Sequence, residues 1–465
     1  MLIRNVKVYT EDKEFVEGEI VIRGGRIQAV EFCSKAEESA GCGRVDASVQ
    51  EPDAGARGQR SVSPDASARE EHGRVALEEE IVIDGEGCYA IPGLVDLHFH
   101  GCKGYDFCDG TKEAIGKIAE YEASVGVTAI SPATMTLPVD ELEEILAVAA
   151  EYRREAEANC IGIKALGRDL EYTQAEAKDE GTAAKCEEAA KCAGAKECRV
   201  KAAADLVGVN MEGPFISEAK KGAQDERHII SCDADTCRRF LGASEGLVKF
   251  VGIAPERNQN AVEFIREMKD KVHISLAHTN ADYDTAMAAF DAGADHAVHL
   301  YNAMPAFTHR APGVVGAVSD SSHVHAEMIC DGVHIHPAVV RATFKMLGAE
   351  RIVLISDSMR ATGMPDGQYT LGGLDVNVAD GRATLVSNGA LAGSATNLME
   401  CMKTVVKKMG IPLETAVACA SGNPAKCLGI YDEYGSIAPG KRGNVVLLDP
   451  ELKLKAVVKD GVRIR

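Results

Sequence analysis

The sequence lacks several features that would assign it to whole classes of protein. No stretch of its 465 residues approaches the roughly 20 continuous apolar residues that a membrane-spanning helix needs. The N-terminus, from Met1 to Val6, alternates like a strand and has no apolar core of a signal peptide. These absences lead us to expect a cytoplasmic protein that makes no use of a membrane.

Positive charge is scarce, and cysteine does not occur in a disulfide pattern. Lys and Arg number 51 against 71 Asp and Glu, which gives a formal net charge of −20. A surface this acidic argues against nucleic acid or an anionic membrane as the main partner, although a local basic pocket can still hold a small anion. The 15 cysteines are an odd number scattered through a long chain, which is typical of reduced thiols.

The composition that is present is that of a folded globular protein. Hydrophobic residues make up 46% of the chain and charged residues 26%, so a large core can form and global disorder is excluded. The length exceeds one average domain, but an α/β barrel can use more than about 250 residues by itself. One large domain with a small one is therefore as reasonable as three equal domains.

From residue 91 onward, short apolar runs that end in polar residues alternate with segments suited to helices. Near-continuous apolar strands between helices indicate a parallel sheet that is covered on both faces. Eight such units predict an α/β fold of the (β/α)8 TIM-barrel type, with an open doubly wound sheet as the alternative. The eight runs are Ile91–His100, Val127–Met135, Leu206–Glu212, Val248–Glu256, Val272–His278, His296–Leu300, Ala326–Asp331 and Arg351–Asp357.

Both ends of the chain have short alternating strands with turns between them. We therefore predict a small β domain from residues 1–90 and 436–465, and a barrel domain from residues 91–435. Two segments depart from these patterns. Residues 34–80 are rich in Ser, Ala, Gly, Glu and Arg and predict a mobile surface insertion, and the Ala, Lys and Glu of residues 168–203 predict a second insertion.

The polar residues that end the apolar runs are the candidate site. Barrels place their active site at the carboxyl ends of the strands, so these side chains are expected to converge. Residues two apart on a strand share a face, which lets both histidines of the first run aim inward. The residues are His98 and His100, Glu212, His278, His299 and Asp357.

Each of these residues also has a simpler explanation. An isolated His-x-His is often a surface pair, Glu212 could lie in a solvated loop, and Asp357 could be a helix N-cap. Histidines that end two consecutive strands, His278 and His299, together with Glu212, favour a metal site instead. Such ligands suit Zn²⁺, Fe²⁺, Co²⁺ or Mn²⁺. A carboxylate across the barrel mouth, Asp357, can then act as general acid and base.

Taken together, these motifs resemble the amidohydrolase superfamily and, within it, the deacetylases of N-acetylhexosamine 6-phosphates. Glu-Gly-Pro-Phe and His-Leu-Tyr-Asn-Ala-Met are the most specific motifs, and the resemblance spans nearly the whole chain outside residues 34–80 and 168–203. The segments that carry it are Pro92–Gly101, Met211–Phe215, Ala277–Ala281, His299–Met304, Asp331–His334, Ser356–Asp357 and Leu391–Ser394.

The resemblance implies a barrel with a small β domain from both termini, assembled as a homodimer. It implies Glu212, His278 and His299 as the main ligands of a divalent metal and Asp357 as the catalytic acid/base. Because His98 and His100 are both retained, one or two metals per subunit are expected. Glu212 would stand where many amidohydrolases use a carboxylated lysine.

The resemblance also implies how a sugar phosphate would bind. Asn302, Ala303 and Arg310 would contact the phosphate, with Arg310 supplied by the neighbouring subunit, and His309 could share that role. His334 would contact the sugar or the amide carbonyl. The remaining residues of the pocket would be Ala223, Gln224, Asp331, Leu391, Ala392 and Gly393.

The expected reaction is hydrolysis of the N-acetyl group of N-acetylglucosamine 6-phosphate to glucosamine 6-phosphate and acetate, in amino-sugar catabolism. The galacto epimer is an alternative substrate, because the two sugars differ only at C4. A cyclic amidohydrolase such as a dihydroorotase is a second alternative, against which Arg310, Asn302 and Ala303 argue. A non-catalytic structural relative is a third, and retention of every candidate ligand argues against it.

Overall fold

A computed structural model of the chain describes residues 1–32, 81–165 and 202–465, with side chains described to residue 158 in the second range. The predicted insertion at 34–80 lies outside the described residues. The predicted insertion at 168–203 also lies outside them, apart from its last two residues.

The two ends of the described chain share one seven-stranded sheet. Its order is β21-β20-β19-β4-β1-β2-β3, and its buried residues, such as Ile3, Ile20 and Val458, form a core of their own. In the described ranges, the strands are β1 (Leu2–Tyr9), β2 (Phe15–Arg23), β3 (Arg26–Phe32), β4 (Val82–Pro92), β5 (Leu94–Asp96), β6 (Gly101–Cys102), β7 (Tyr105–Asp106), β8 (Val127–Ile130), β9 (Asp205–Leu206), β10 (Val209–Met211), β11 (Val248–Ile253), β12 (His273–Leu276), β13 (His296–Ala297), β14 (His325–Ile329), β15 (Ile352–Ile355), β16 (Gly367–Leu371), β17 (Leu374–Ala379), β18 (Arg382–Leu385), β19 (Val445–Leu448), β20 (Leu454–Lys459) and β21 (Val462–Arg463).

Helices follow most of the central strands, and polar caps begin several of them. Thr111 accepts a hydrogen bond from Ala114 N, and Asp282 accepts one from Thr285 N, which satisfies amides that a first helical turn leaves free. No helix in the described ranges is long and apolar enough to cross a membrane. The α-helices are Lys112–Ser124, Val139–Ala165, Ala234–Ala243, Ala261–Met268, Tyr283–Ala292, Gly313–Asp320, Pro337–Leu347, Leu398–Lys407, Leu413–Val417 and Asn423–Cys427, with a π-helical turn at Ala418–Gly422.

The central strands are parallel and form two sheets. One has the order β5-β8-β9, and the other runs from β10 to β15 in sequence order. Nearly all residues of these strands are buried, as the continuous apolar runs require for a sheet covered on both faces. The α/β class with parallel strands between helices is confirmed.

Backbone hydrogen bonds also connect the two parallel sheets at both of their edges. Asn210 N donates to Pro132 O at 2.9 Å on one side, and Asp357 N donates to His98 O at 3.0 Å on the other. The carboxyl ends of β5 and β15 therefore lie side by side. The side chain of Ser356 also donates a hydrogen bond to Asp96 there, although 260 positions separate the two residues.

A three-stranded antiparallel sheet, β16-β17-β18, follows β15. The sequence suggests a single hairpin here with its turn at residues 379–382, and that turn is present between β17 and β18. A second turn at Gly372 and Gly373, with φ of 55° and 79°, divides the first half into two strands. The buried side of this sheet packs against Met135, Ala223 and Ala392.

Candidate metal centre and active site

Six polar side chains meet at the carboxyl ends of the parallel strands. They follow β5, β10, β12, β13 and β15, so each is placed by the end of a buried strand. None is more than 7% exposed. The six are His98, His100, Glu212, His278, His299 and Asp357.

The Glu212 carboxylate lies at the centre of this group. Its Oε1 is 2.9 Å from His278 Nε2, 2.8 Å from His299 Nε2 and 3.5 Å from His98 Nε2. Its Oε2 is 3.3 Å from His100 Nε2. One carboxylate thus contacts four imidazoles from three other strand ends.

The donor atoms divide into two overlapping sets that share Glu212. In each set the candidate ligand atoms lie within 4.8 Å of one another, and together they bring in all four histidines. Asp357 Oδ1 lies beside the set that contains His98 and His100, at 3.3 Å from His100 Nε2 and 3.9 Å from His98 Nε2. The sets are Glu212, His278 and His299, and His98, His100 and Glu212.

The backbone is held in an unusual conformation at three of these positions. His278, His299 and Asp357 have φ of 44°, 28° and 48°, in the left-handed region that non-glycine residues rarely adopt. Each such residue costs on the order of 1–3 kcal/mol and persists only where its surroundings fix it. These turns bend each strand end so that its side chain faces the centre.

Neighbouring groups hold two of the imidazole rings. His278 Nδ1 donates to Lys220 O at 2.8 Å, and His98 Nδ1 donates to Glu327 Oε2 at 2.7 Å. Each ring therefore directs its Nε2 towards Glu212. Hydrogen bonds of this kind fix the orientation and tautomer of metal-binding histidines.

The charges at the centre stabilise one another. Burial raises the pKa of the Glu212 carboxyl, but the charge of His278 and hydrogen bonds from the imidazoles outweigh burial and hold it well below its usual value. For His98, burial lowers the pKa, while Glu327 and Glu212 raise it more, to about 9. The buried carboxylates thus favour positive charge at the imidazole nitrogens, carried either by protons or by a metal.

The residues fit a divalent metal ion. His98 Nε2 is fully buried and has no hydrogen-bond partner among the described residues, although it faces two carboxylates. A buried polar atom without a partner is rare in a folded protein. Histidine nitrogens and a carboxylate form the donor set that Zn²⁺ and similar metals prefer.

The predicted pocket residues Ala223 and Gln224 lie against the centre. Gln224 is 2% exposed, and its Nε2 donates to Glu212 Oε2 at 2.7 Å while its Oε1 accepts from Thr136 N at 2.6 Å. A Cβ added at Gly372 would lie 2.7 Å from Met135 Cε and 3.6 Å from Ala223 O, so the turn of the small sheet packs closely here. Because its Nε2 donates to Glu212, the side chain of Gln224 faces the centre of the site.

The predicted residues Asp331 and His334 form a pair after β14. Asp331 Oδ2 accepts from His334 Nδ1 at 2.8 Å, and its Oδ1 accepts from two backbone amides, those of Val333 and His334. Burial raises the pKa of Asp331, but these contacts lower it below its usual value. Asp331 thus acts as the partner of His334.

The other predicted pocket segments lie close to the site residues in the chain or in space. Ala303 O accepts from Thr279 N at 3.1 Å, and Asn302 Nδ2 donates to His299 O at 3.2 Å. Ser394 N, which follows the predicted Leu391, Ala392 and Gly393, donates to Asp357 O at 2.7 Å. A Cβ at Gly393, whose φ is 65°, would lie 3.2 Å from the same oxygen, so glycine eases this close approach.

Arg310 forms no hydrogen bond or ion pair with the other predicted site residues of the described chain. It lies in an exposed segment with His309, and no described residue forms a hydrogen bond or an ion pair with either side chain. In this respect Arg310 differs from the other predicted site residues, which are buried or half-buried.

Sequence reasoning missed Glu327, which is inside β14 and 0% exposed. Its run, Ala326–Asp331, ends in the polar residue Asp331, whereas Glu327 stands near its start. A single carboxylate within an otherwise apolar strand was the signal that could have found it.

Comparisons with a protein family, with individual relatives and with solved structures place the chain among known proteins. Residues 89–464 match the amidohydrolase family. The chain therefore belongs to the amidohydrolase family, whose members are generally dependent on divalent metals.

Individual relatives narrow the similarity to one kind of amidohydrolase, the deacetylases of N-acetylhexosamine 6-phosphates. The chain is 33% identical to N-acetylglucosamine-6-phosphate deacetylase of Vibrio furnissii over 78% of this chain and 80% of that protein. It is 31% identical to N-acetylgalactosamine-6-phosphate deacetylase of Escherichia coli O157:H7 over 80% of this chain and 86% of the other. It is also similar to the structure of a mutant N-acetyl-D-glucosamine-6-phosphate deacetylase from Mycobacterium smegmatis in complex with N-acetyl-D-glucosamine-6-phosphate, with a TM-score of 0.75, 28% identity, and coverage of 100% of this chain and 99% of that one.

Proposed function

We propose that the protein is a metal-dependent deacetylase that hydrolyses N-acetylglucosamine 6-phosphate to glucosamine 6-phosphate and acetate. The observation that carries the proposal is the convergence of four histidines on Glu212 with Asp357 beside them, in a chain similar to such deacetylases over most of its length.

We further infer that the two parallel sheets close into one eight-stranded barrel. The strands would be β5, β8 and β10 to β15. The hydrogen bonds from Asn210 N and Asp357 N connect the two sheets at both edges and so support closure of the barrel. The site then lies at the carboxyl ends of the strands, where barrel enzymes place their catalytic residues. The seven-stranded sheet of β1–β4 and β19–β21 forms the small β domain of the proposal.

Glu212, His278 and His299 would hold the main metal ion, and His98 and His100 with Glu212 a second one. When bound, a divalent metal supplies Lewis acidity, which polarises a carbonyl oxygen and makes water a stronger acid near neutral pH. Histidine and carboxylate donors can bind Zn²⁺, Fe²⁺, Co²⁺ or Mn²⁺.

Asp357 would move the proton. Burial raises the pKa of its carboxyl, but the hydrogen bond from His100 and the charges of His98 and His100 hold it below its usual value, so it is ionised and able to accept. It would take a proton from the attacking water and deliver it to the nitrogen of the departing amine. His334, with Nδ1 held by Asp331, would present Nε2 to the sugar or to the amide carbonyl.

The phosphate needs a positive partner, because a net charge of −20 repels it. We propose Arg310 for this role, as a bidentate fork to two phosphate oxygens, with Asn302 and Ala303 beside it. Its exposed position, without a partner among the described residues, supports its action in the neighbouring subunit of a homodimer.

The test is acetate release from four substrates: the gluco and galacto N-acetylhexosamine 6-phosphates and their unphosphorylated forms. We expect the gluco 6-phosphate to be hydrolysed most efficiently, and activity to be lost on chelation and restored by a divalent metal. The galacto 6-phosphate is the second candidate, because a relative at 31% identity carries that name. Equal activity on unphosphorylated sugars would contradict the phosphate-binding part of the proposal.

A further inference from the structure

Glu327 is a buried carboxylate with a complete set of hydrogen-bond donors around it. Its Oε2 accepts from His98 Nδ1 at 2.7 Å and from His299 N at 3.2 Å. Its Oε1 accepts from His296 Nε2 at 3.1 Å and from Asn210 Nδ2 at 3.3 Å. These four donors come from β5, β10 and β13 or the residues that follow them, so one side chain of β14 joins three other strands.

A carboxylate at 0% exposure is costly to bury unless it is paired, and an apolar side chain would fill the same space without that cost. The position of Glu327 therefore needs an explanation beyond packing. Two of its four contacts are to candidate metal-site residues, one from each donor set, His98 and His299.

An ionised carboxylate can only accept hydrogen bonds. Glu327 therefore requires the proton of His98 to be on Nδ1. The lone pair of Nε2 is then free to face Glu212 Oε1 at 3.5 Å and Asp357 Oδ1 at 3.9 Å, and Nε2 has no hydrogen-bond partner among the described residues.

We propose that Glu327 is the positioning residue of the metal centre. It fixes the tautomer and orientation of His98. By accepting from the amide of His299 as well, it fixes the position of one donor set relative to the other. The proposal rests on the metal dependence proposed above, but not on the identity of the substrate.

Glu327→Gln tests the proposal, because an amide has one accepting oxygen and cannot accept all four hydrogen bonds. Loss of an outer partner of a metal-binding histidine typically weakens metal binding by about 10- to 100-fold. We expect Glu327→Gln to keep one tight zinc and to bind the second about 10- to 100-fold more weakly than the unchanged protein.

The matched control is Glu122→Gln, another carboxyl at 0% exposure, which lies on the helix Lys112–Ser124 and belongs to neither donor set. Metal-free preparations of the unchanged protein and both variants are titrated with Zn²⁺ alone against a chromophoric chelator. Unchanged second-site affinity in Glu327→Gln, or an equal loss in Glu122→Gln, would overturn the proposal. Because no substrate is present, failure here is separate from failure of the acetate assay.

A second measurement reads the tautomer of His98 in the unchanged protein, and a variant serves only to assign the resonances. In zinc-loaded protein with nitrogen-15 histidine, the His98 resonances are identified by their loss in His98→Gln. We expect a protonated Nδ1 and an unprotonated Nε2 on His98. A proton on Nε2 with Nδ1 unprotonated would overturn the assignment of Glu327, whatever role His98 has.

Discussion

The Nε2 atoms of His278 and His299 lie 3.2 Å apart, and both contact the same oxygen of Glu212. At this distance two imidazole nitrogens and a carboxylate oxygen are compatible only if protons or a metal ion lie between them. The arrangement makes these three residues the tighter of the two donor sets, since all of its contacts are shorter than those of His98 and His100 to Glu212.

The first prediction follows from this difference. His278→Ala should remove the tight metal, because only two donors of that set remain, whereas His98→Ala should lower bound metal but leave one tight ion. Elemental analysis after exhaustive dialysis measures both. Complete loss of metal from His98→Ala would show that the two sets do not act separately.

The second prediction concerns Asp357. Asp357→Asn keeps the shape of the side chain and removes its ability to take a proton, so kcat should fall by at least about 100-fold. Metal content should change little, because Asp357 is outside both donor sets. Near-normal kcat in a variant with normal metal content would assign the proton transfer to another group.

The third prediction concerns Arg310. Loss of a bidentate charged contact should cost about 2–4 kcal/mol, or about 30- to 1000-fold in kcat/KM, mainly through KM. Hydrolysis of the unphosphorylated sugar should be nearly unaffected by Arg310→Ala. Equal losses on both sugars would mean that Arg310 supports the fold or the site rather than the phosphate.

The fourth prediction places Arg310 in a neighbouring subunit. A mixture of Arg310→Ala and Asp357→Asn proteins should recover activity after subunit exchange, because a mixed dimer has one site with both residues intact. Size-exclusion chromatography and labelled subunits check that dimers form and exchange. Without recovery in exchanging mixtures, Arg310 would act in its own chain's site or outside the site.

The fifth prediction concerns pH and the amino-terminal end of β14. Burial, and then the charge of His296, lower the pKa of His325 from 6.5 to about 4. Between these values the unfolded chain binds a proton that the folded chain does not. Stability from this group is therefore complete above about pH 6.5 and falls as the pH drops towards 4.

His325→Phe keeps the ring contact with His296 and removes this titration. The loss of unfolding free energy between about pH 7.5 and about pH 5 should then shrink by about 1 kcal/mol, because partial exposure reduces the full effect of the shifted pKa. Denaturant unfolding of metal-free protein measures it. The same pH dependence in both proteins would show that other groups control acid stability.

The sequence predicted most of the strand ends because hydrophobic runs and the residue that stops each run are local properties. His98, Glu212, His278 and Asp357 follow β5, β10, β12 and β15 directly or within two residues. The contacts among them could not be read from local patterns, because they join residues as far apart as His98 and Asp357, which are 259 positions apart. The contact of His278 and His299 with the same oxygen of Glu212 exists only in the folded protein.

Glu327 and Gln224 show what local patterns leave out. Glu327 is polar within a strand, so its role depends on donors from three other strands. The resemblance implies Gln224 as part of the pocket, but loop sequence does not determine that its side chain lies against Glu212. The second turn of the small sheet needed the left-handed φ of Gly372, which a glycine pair permits but does not require.

The hydrogen bond from Asp357 N to His98 O has a consequence for how the protein is made. A ribosome completes the first histidine strand long before the strand that carries Asp357, and contacts so distant in sequence form slowly. During synthesis the emerging chain presents His98 and His100 without their later partners. The hydrogen bond between these two strand ends, and with it the complete site, should therefore form only after about three quarters of the chain has left the ribosome.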